Sequence, residues 1–257
     1  MKLCRFRYLE KAMCGILEGN GMGVCRGDLP GPLETTGDTI PREQVRLLAP
    51  VMPSKIIGIG RNYAAHAKEF GNVPPEEEPL IFLKPPSAVI APGDPIVMPA
   101  ASKRVDHEAE LGVVIGKIAR NIAADDNPMN YVLGYTCVND VTARDLQKKD
   151  VQFTRGKGFD TFCPFGPWIE TELDPSDVLV TGRVNGEIRQ QARTSDLLFP
   201  VPWLIRFLAG IMTLWPGDLI ATGTPAGVGP LAPGDVVEVE VEGVGILRNP
   251  VRGAGEP

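Results

Sequence analysis

Residues 106 to 116, DHEAELGVVIG, indicate a strand at the centre of a sheet, because the polarity of the residues changes halfway along the segment. Residues 106 to 110 are polar apart from Ala109, and the run from Leu111 to Ile115 is then apolar apart from its glycine. A strand shows this change when it enters the core of a sheet. The segment from Tyr131 to Val138 has the same character. Both segments are therefore predicted to be central strands.

Turn signals elsewhere indicate further strands in a mixed sheet. Asn185-Gly186 is typical of a hairpin turn, and Pro-Gly-Asp turns at Pro216 and Pro233 each precede a β-branched run. The spacing predicts a strand over 55–60 and helices over 63–70 and 202–214, the last with proline in its first turn. The predicted fold is α+β and mainly β, and it is not a βαβ array.

Composition limits the organisation of the chain and its partners. Residues 1–52 read as short strands with Gly-rich turns and predict a small N-terminal β module, and Pro53 opens the main domain over 53–257. The net charge of −6, without a Lys/Arg cluster, argues against a nucleic-acid partner. Five cysteines without a Cys-x-x-Cys pair indicate a reduced, cytoplasmic protein. No apolar stretch is long enough for a membrane span.

Two carboxylates stand at the start of the central strand. Glu108 and Glu110 are two residues apart, so in a strand both would emerge from one face. On a solvated face such a pair often has no function, but the apolar run that follows predicts partial burial. Like charges held close together repel unless a cation lies between them. The pair therefore indicates a cation site.

A third carboxylate, Asp140, follows the second predicted strand. One helix is predicted to begin near Asp140 and run to Asp150, which would place Asp140, Arg144 and Gln147 on one face. Asp140 could instead be only an N-cap, and Arg144 only a helix salt-bridge partner. Three carboxylates without a His or Cys partner favour a hard ion such as Mg²⁺, and Mn²⁺ accepts the same ligands.

His66 is one of two histidines and lies on a predicted helix. A lone helical histidine is more often structural than catalytic, but Glu69 is three residues on and could orient the imidazole for general-base chemistry. The acidic, Pro-rich segment over 71–79 that follows is predicted to be an exposed loop, and it could form a lid. His107 is predicted to point away from the ligand face.

Two glycine-containing segments resemble nucleotide-binding motifs but lack their defining residues. Gly58-Ile59-Gly60 lies between a predicted strand and a helix, but Tyr63 occupies the third glycine position of a dinucleotide fingerprint and the helix is short. The loop over 223–229 lacks the Gly-Lys-Ser/Thr ending of a phosphate loop.

Several strings together resemble the fumarylacetoacetate hydrolase family over roughly residues 53 to 250. They are HEAELG at 107–112, NDVTARDLQ at 139–147 and GTPAGVG at 223–229, with Asn62-Tyr63, His66, Lys84-Pro85, Lys157, Phe159-Asp160 and TLWPGD at 213–218. The set is specific, although each string alone would be weak.

The resemblance implies a mixed β-sheet roll, a homodimer, and Mg²⁺ or Mn²⁺ on the residues that match Glu108, Glu110 and Asp140. It implies that Arg144, Gln147 and Lys157 contact the substrate or its developing charge, and that Thr224 contacts the substrate carboxylate. Without the resemblance, Lys157 between two glycines would be interpreted as a solvated residue. The resemblance also favours a catalytic His66–Glu69 pair.

The expected substrate is a small 2-oxo acid whose oxo and carboxylate oxygens chelate the metal. The predicted reaction is C–C cleavage, by hydrolysis of an acylpyruvate-type β-diketo acid or by decarboxylation of oxaloacetate. The resemblance leaves open a 2-hydroxyhepta-2,4-diene-1,7-dioate isomerase or decarboxylase. A non-catalytic, metal-dependent small-molecule binding protein is the alternative from another class, and the His66–Glu69 pair argues against it.

Overall fold

The first fifty residues form an antiparallel meander. In the computed structural model, which describes residues 1–255, its strands are β1 (Lys2–Tyr8), β2 (Lys11–Glu18), β3 (Gly21–Arg26), β4 (Glu34–Pro41) and β5 (Arg46–Leu47). β5 returns to pair with β1, and β1 also pairs with a strand of the main sheet at Leu3 and Ile169. The meander is thus continuous with the main sheet, and a domain boundary at 52/53 stays a prediction.

A twelve-stranded mixed sheet forms the centre of the molecule. Its further strands are β6 (Ile56–Gly60), β7 (Leu80–Lys84), β8 (Val89–Ile90), β11 (Ala109–Ile115), β12 (Val132–Asn139), β14 (Cys163–Glu170) and β17 (Leu219–Ala221), and its main order is β4-β3-β2-β1-β14-β12-β11-β17-β6-β7. β17 pairs with β6 in parallel and with β11 antiparallel. Every residue of β11 is buried, which explains its continuous apolar run.

Two smaller sheets complete the β structure. One has the order β16 (Glu187–Arg193), β15 (Leu179–Val184), β19 (Val236–Val241), β20 (Gly245–Arg252) and β9 (Ile96–Val97); the other has β13 (Thr142–Ala143), β10 (Val105–His107) and β18 (Gly229–Pro230). Val180 and Leu247 of the first share a core with Leu111 of the main sheet. The hairpin predicted at Asn185-Gly186 is confirmed, with φ of +54° and +81° as a type I′ turn requires.

Four short helices lie between the strands of the described residues. They are α1 (Ala64–Glu69), α2 (Arg144–Lys149), α3 (Thr154–Lys157) and α4 (Val201–Ile211). α4 buries Leu204, Ile205 and Leu208. Within residues 1–255, no helix has the length and apolar character needed to cross a membrane. The predicted class, α+β and mainly β with mixed sheets, is confirmed.

The structure corrects two local predictions. The expected continuous strand breaks at Glu108, because β10 ends at His107 and β11 begins at Ala109. The helix expected from near Asp140 begins only at Arg144, because Thr142 and Ala143 pair with β10 instead. Asp140 therefore does not share a helix face with Arg144. Tertiary strand pairing outweighs the local helix propensity at this point.

Candidate metal centre and active site

Glu108, Glu110 and Asp140 converge because two paired strands carry them. Ala109 is paired with Asn139 across β11 and β12, so the flanking acidic residues lie side by side. The Asn139 amide oxygen accepts a 2.9 Å bond from the Glu108 N–H, and the Asp140 N–H donates to the Glu108 carbonyl at 2.9 Å. One carboxylate oxygen from each acidic residue lies within 4.8 Å of the others, and all three side chains are buried.

Three buried cations balance these carboxylates. Lys157 Nζ lies 2.7 Å from Glu108 Oε2 and 2.5 Å from Asp140 Oδ2, so it bridges the two side chains. Lys84 Nζ donates to Asp140 Oδ1 at 2.6 Å, and Arg144 Nη2 donates to Glu108 Oε1 at 2.5 Å. The expectation of a solvated Lys157, made without the resemblance, is wrong, because the side chain is only 3% exposed.

The surroundings shift the pKa values of Glu108 and Glu110 in opposite directions. Burial raises the pKa of Glu108, but the charges of Lys157 and Arg144 outweigh burial and hold that pKa below its usual range. Burial, together with the charges of Asp140 and Glu108, raises the pKa of Glu110 well above its usual range. Glu110 receives a 2.7 Å bond from the Gly223 N–H.

Arg144 is held by partners on both sides. Its Nε donates to Asp106 Oδ2 at 2.9 Å and its Nη1 donates to Gln147 Oε1 at 2.8 Å. Arg104 binds the same Asp106 carboxylate from the outside, at 2.8 Å. The Arg144 guanidinium also lies 4.7 Å from the centre of the Phe70 ring. These contacts orient a guanidinium that faces the carboxylate cluster.

His66 and Glu69 form the expected pair on α1. His66 Nδ1 and Glu69 Oε2 are 3.2 Å apart, and the imidazole is edge-on to the Phe70 ring at 5.3 Å between centroids. Glu69 Oε1 also accepts a 3.1 Å bond from the Gly227 N–H. Glu69 therefore connects the histidine helix to the loop over 223–229.

Thr224 is oriented by a buried amide that the sequence did not single out. The Thr224 hydroxyl donates to the Ala109 carbonyl at 3.0 Å and accepts from Gln190 Nε2 at 2.6 Å. Gln190 Oε1 lies 3.0 Å from the Ala109 N and 2.9 Å from His107 Nδ1. The threonine hydroxyl hydrogen is thus directed to the backbone. His107 faces Gln190, away from the carboxylates, as the alternation predicts.

One cavity of about 240 Å³ collects the predicted site residues. Its walls include eight of the nine, namely His66, Glu108, Glu110, Asp140, Arg144, Gln147, Lys157 and Thr224; Glu69 lies behind His66. Phe70, Phe82 and Phe153 supply an apolar wall, with the Phe82 and Phe153 rings edge to face at 5.7 Å. A polar floor beside an aromatic wall suits a small organic acid.

The donor set suits a hard divalent cation. All three candidate ligands are carboxylates, and two ligand atoms on opposite sides of Mg²⁺ are about 4.2 Å apart, because each bond is about 2.1 Å. The observed spread of 4.8 Å is close to that span. Each carboxylate offers about four lone-pair positions, so those that bind Lys84, Arg144 and Lys157 keep capacity for a metal.

Sequence reasoning missed three structural residues of the site. Asp106 is 0% exposed and binds Arg144, Lys84 binds Asp140, and Gln190 is 0% exposed behind Thr224. Asp106 stands next to His107 in the segment over 106–116, and Lys84 belongs to the Lys84-Pro85 string of the family resemblance. The sequence therefore contained a pattern that pointed to each of them. Gln190 lies 81 residues from Ala109 in the sequence, and no local sequence pattern points to it.

Residues 55–252 match the family model described as fumarylacetoacetate (FAA) hydrolase, C-terminal, and residues 1–50 match the model described as Rv2993c-like, N-terminal. The chain belongs to the fumarylacetoacetate hydrolase family and is an enzyme, as the sequence strings predict.

Several relatives have named activities. The mitochondrial oxaloacetate tautomerase FAHD2A of Bos taurus is 44% identical over 85% of this chain and 73% of that protein. The structure of 2-hydroxyhepta-2,4-diene-1,7-dioate isomerase from Mycobacterium marinum has 41% identity and a TM-score of 0.92, and the match covers 100% of both chains. Maleylpyruvate hydrolase from Sphingobium sp. SYK-6, solved with manganese(II) and pyruvate, has 33% identity and a TM-score of 0.82, over 98% of this chain and 99% of that chain.

Proposed function

We propose that this enzyme holds one Mg²⁺ or Mn²⁺ ion on Glu108, Glu110 and Asp140 and acts on a small 2-oxo acid. The observation that carries the proposal is the buried cluster of three carboxylates at the floor of the cavity. The manganese and pyruvate in the maleylpyruvate hydrolase structure support the choice of metal and substrate class. When bound, the cation would supply Lewis-acid stabilisation of negative charge on the substrate.

The surrounding cations would bind and orient the acid. Arg144 and Lys157 face the cavity with their positions fixed by buried partners, so they need little reorganisation when charge develops. The Gln147 amide oxygen accepts a hydrogen bond from Arg144, and Gln147 lines the same cavity. Thr224 also lines the cavity, and we assign it the contact to the substrate carboxylate that the family resemblance implies.

We assign His66 the role of general base, which would accept a proton from the attacking water. Glu69 holds one imidazole nitrogen, and the ring lines the cavity beside the carboxylate cluster. Hydrolysis of a C–C bond needs a water made nucleophilic near the substrate carbonyl, and an imidazole is suited to that task near neutral pH. Decarboxylation needs the same stabilised negative charge without the water. We therefore propose C–C cleavage by one of these routes.

A tautomerase or isomerase is the second candidate. The FAHD2A relative is an oxaloacetate tautomerase, and the Mycobacterium marinum relative is an isomerase of a hydroxydienedioate. Both reactions move a proton next to an enolised oxygen, for which the same His66 and cation site would serve. Cleavage differs because a carbon–carbon bond breaks.

A screen of substrates with and without metal tests the proposal. Chelator-treated protein is assayed with acetylpyruvate, oxaloacetate and 2-hydroxyhepta-2,4-diene-1,7-dioate, and then again after addition of Mg²⁺ or Mn²⁺. We expect metal-dependent pyruvate formation from acetylpyruvate or oxaloacetate. Metal-dependent isomerisation without pyruvate would support the second candidate, and no turnover of any of the three would overturn both.

We also propose a homodimer. The surface beside α4 exposes large apolar side chains, with Trp203 37%, Ile211 53% and Trp215 49% exposed. Such patches are common at protein–protein contacts. Light scattering should return about twice the chain mass of 27.7 kDa, and the mass of one chain would contradict it. A cytoplasmic location stays a prediction from composition.

A further inference from the structure

Glu110 differs from the other two candidate metal ligands in the partners that hold it. Buried cations bind Glu108 and Asp140, whereas Glu110 forms no ion pair with any residue that the structure describes. Its carboxylate accepts a hydrogen bond from the Gly223 N–H, at 2.7 Å. The position of the Glu110 carboxylate therefore depends on the orientation of a backbone N–H group.

Asn62 holds the peptide group to which that N–H belongs. The Asn62 Nδ2 donates to the Thr222 carbonyl oxygen at 2.8 Å. The Thr222 carbonyl and the Gly223 N–H belong to one planar trans peptide, so they point in opposite directions. Asn62 binds one side of this peptide and Glu110 binds the other. Rotation of the peptide would turn the carbonyl oxygen, which cannot donate, toward the Glu110 carboxylate.

Gly223 has a backbone conformation that makes this restraint necessary. Its φ is +107°, a region that residues with a side chain rarely adopt. A Cβ atom on Gly223 would lie 2.7 Å from the Asn62 Cβ and 3.2 Å from the Ile59 carbonyl oxygen, so only glycine fits against Asn62. Glycine also rotates more freely than other residues. The peptide before it therefore needs an external partner to stay in one orientation.

The Asn62 side chain is fixed from behind the cavity wall. It is 0% exposed and is not among the residues that line the cavity. Its Oδ1 accepts a 2.8 Å bond from the Phe199 N–H, and its Nδ2 also donates to the Phe199 carbonyl at 3.1 Å. The amide cannot turn over, because that would place Oδ1 against two carbonyl oxygens. Asn62 is thus a rigid connection from the segment before α4 to the peptide that binds Glu110.

We propose that Asn62 is a positioning residue for the metal centre and acts on Glu110 through the peptide between Thr222 and Gly223. The inference rests on the proposed function, in which Glu110 is a ligand of the divalent cation. Groups that orient metal ligands without touching the ion typically change metal affinity by about 10- to 100-fold when they are removed.

The test is calorimetric titration of Mn²⁺ into chelator-treated Asn62→Ala and Asn249→Ala. Asn249 is the matched control, because it is 2% exposed and its Nδ2 donates to the Ala91 and Asp94 carbonyls at 2.9 Å, away from the cavity. Both variants should melt at a lower temperature than the wild type. Only Asn62→Ala should bind Mn²⁺ more weakly, by about tenfold or more. Equal affinities of the two folded variants would overturn the inference.

Gly223→Ala tests the same contact if Asn62→Ala does not fold. The added Cβ would push against Asn62, so Mn²⁺ affinity should again fall by about tenfold or more. Gly234→Ala is its control, because Gly234 also has a positive φ, +92°, but a Cβ there would meet no atom within 4 Å. Wild-type affinity in folded Gly223→Ala would contradict the role of Asn62.

A measurement on the metal-free protein distinguishes failure of this inference from failure of the proposed function. Nuclear magnetic resonance follows hydrogen exchange of the Gly223 N–H, which should be about tenfold or more faster in Asn62→Ala than in Asn249→Ala. Equal exchange rates, with Mn²⁺ binding to the wild type, would overturn the inference alone. If the wild type binds no Mn²⁺, the proposed function fails instead.

Discussion

Lys157 Nζ lies 2.5 Å from Asp140 Oδ2, and both side chains are almost fully buried. Burial alone would lower the pKa of Lys157, but the charges of Asp140 and Glu108 outweigh burial and raise it. The ammonium is therefore charged. Together with Lys84 and Arg144 it forms a network of buried cations that binds the Glu108 and Asp140 carboxylates.

Lys157→Met should destabilise the metal-free protein by about 3 kcal/mol or more, because buried carboxylates lose a partner. A divalent cation can replace the lost positive charge, so Mn²⁺ should raise the melting temperature of this variant more than that of the wild type. Differential scanning calorimetry with and without Mn²⁺ measures both effects. An equal rise in melting temperature in the two proteins would contradict the proposal that Mn²⁺ binds the carboxylates that Lys157 contacts.

His66→Ala should lower kcat for acetylpyruvate hydrolysis by roughly 10²-fold or more, the scale of a lost general base. Lys68→Ala, on the exposed side of the same helix, is the matched control and should keep the wild-type rate. Steady-state pyruvate release measures both. A His66→Ala variant as fast as the control would remove His66 from the mechanism.

Asp106→Asn should weaken the orientation of Arg144 and raise KM for the 2-oxo acid by about tenfold, because a buried charged hydrogen bond is lost. Arg104→Gln is the control, since Arg104 contacts the same carboxylate from a 45% exposed position. Its effect should be under about twofold. Comparable KM changes in the two variants would show that the orientation of Arg144 does not depend on the charge of Asp106.

Gln190→Ala should cost about 3 kcal/mol of unfolding free energy, because it leaves the Ala109 N–H, the His107 ring nitrogen and the Pro225 carbonyl buried without this partner. Gln191→Ala, an exposed neighbour on the same strand, should change stability by less than about 0.5 kcal/mol. Urea denaturation followed by circular dichroism checks the pair. Similar urea midpoints for both variants would show that the hydrogen bonds of Gln190 do not stabilise the fold.

Local patterns predict the parts of this fold that local physics controls. The apolar run after Glu110 becomes the buried strand β11, and the Asn185-Gly186 turn has the expected positive φ values. The helix start near Asp140 could not be predicted, because Thr142 and Ala143 are recruited by a strand about 37 residues away in the chain.

Part of the candidate site can likewise be predicted from the sequence, and part of it cannot. The convergence of Glu108 and Glu110 follows from strand periodicity, and the family strings point to Lys157, whose burial has no local signal. Gln190 reaches the site from a different sheet, so only the tertiary structure reveals it.

We propose above that Glu108, Glu110 and Asp140 bind one divalent cation. Calorimetric titration of Mn²⁺ into the chelator-treated protein tests it most directly, with Asp140→Asn as the variant and Asp160→Asn, an exposed aspartate, as the control. Circular dichroism checks that all three proteins are folded. We predict one Mn²⁺ per chain for the wild type and the control, and no binding to Asp140→Asn at concentrations that saturate the wild type. Wild-type affinity in folded Asp140→Asn, or no binding to the wild type, would contradict the account.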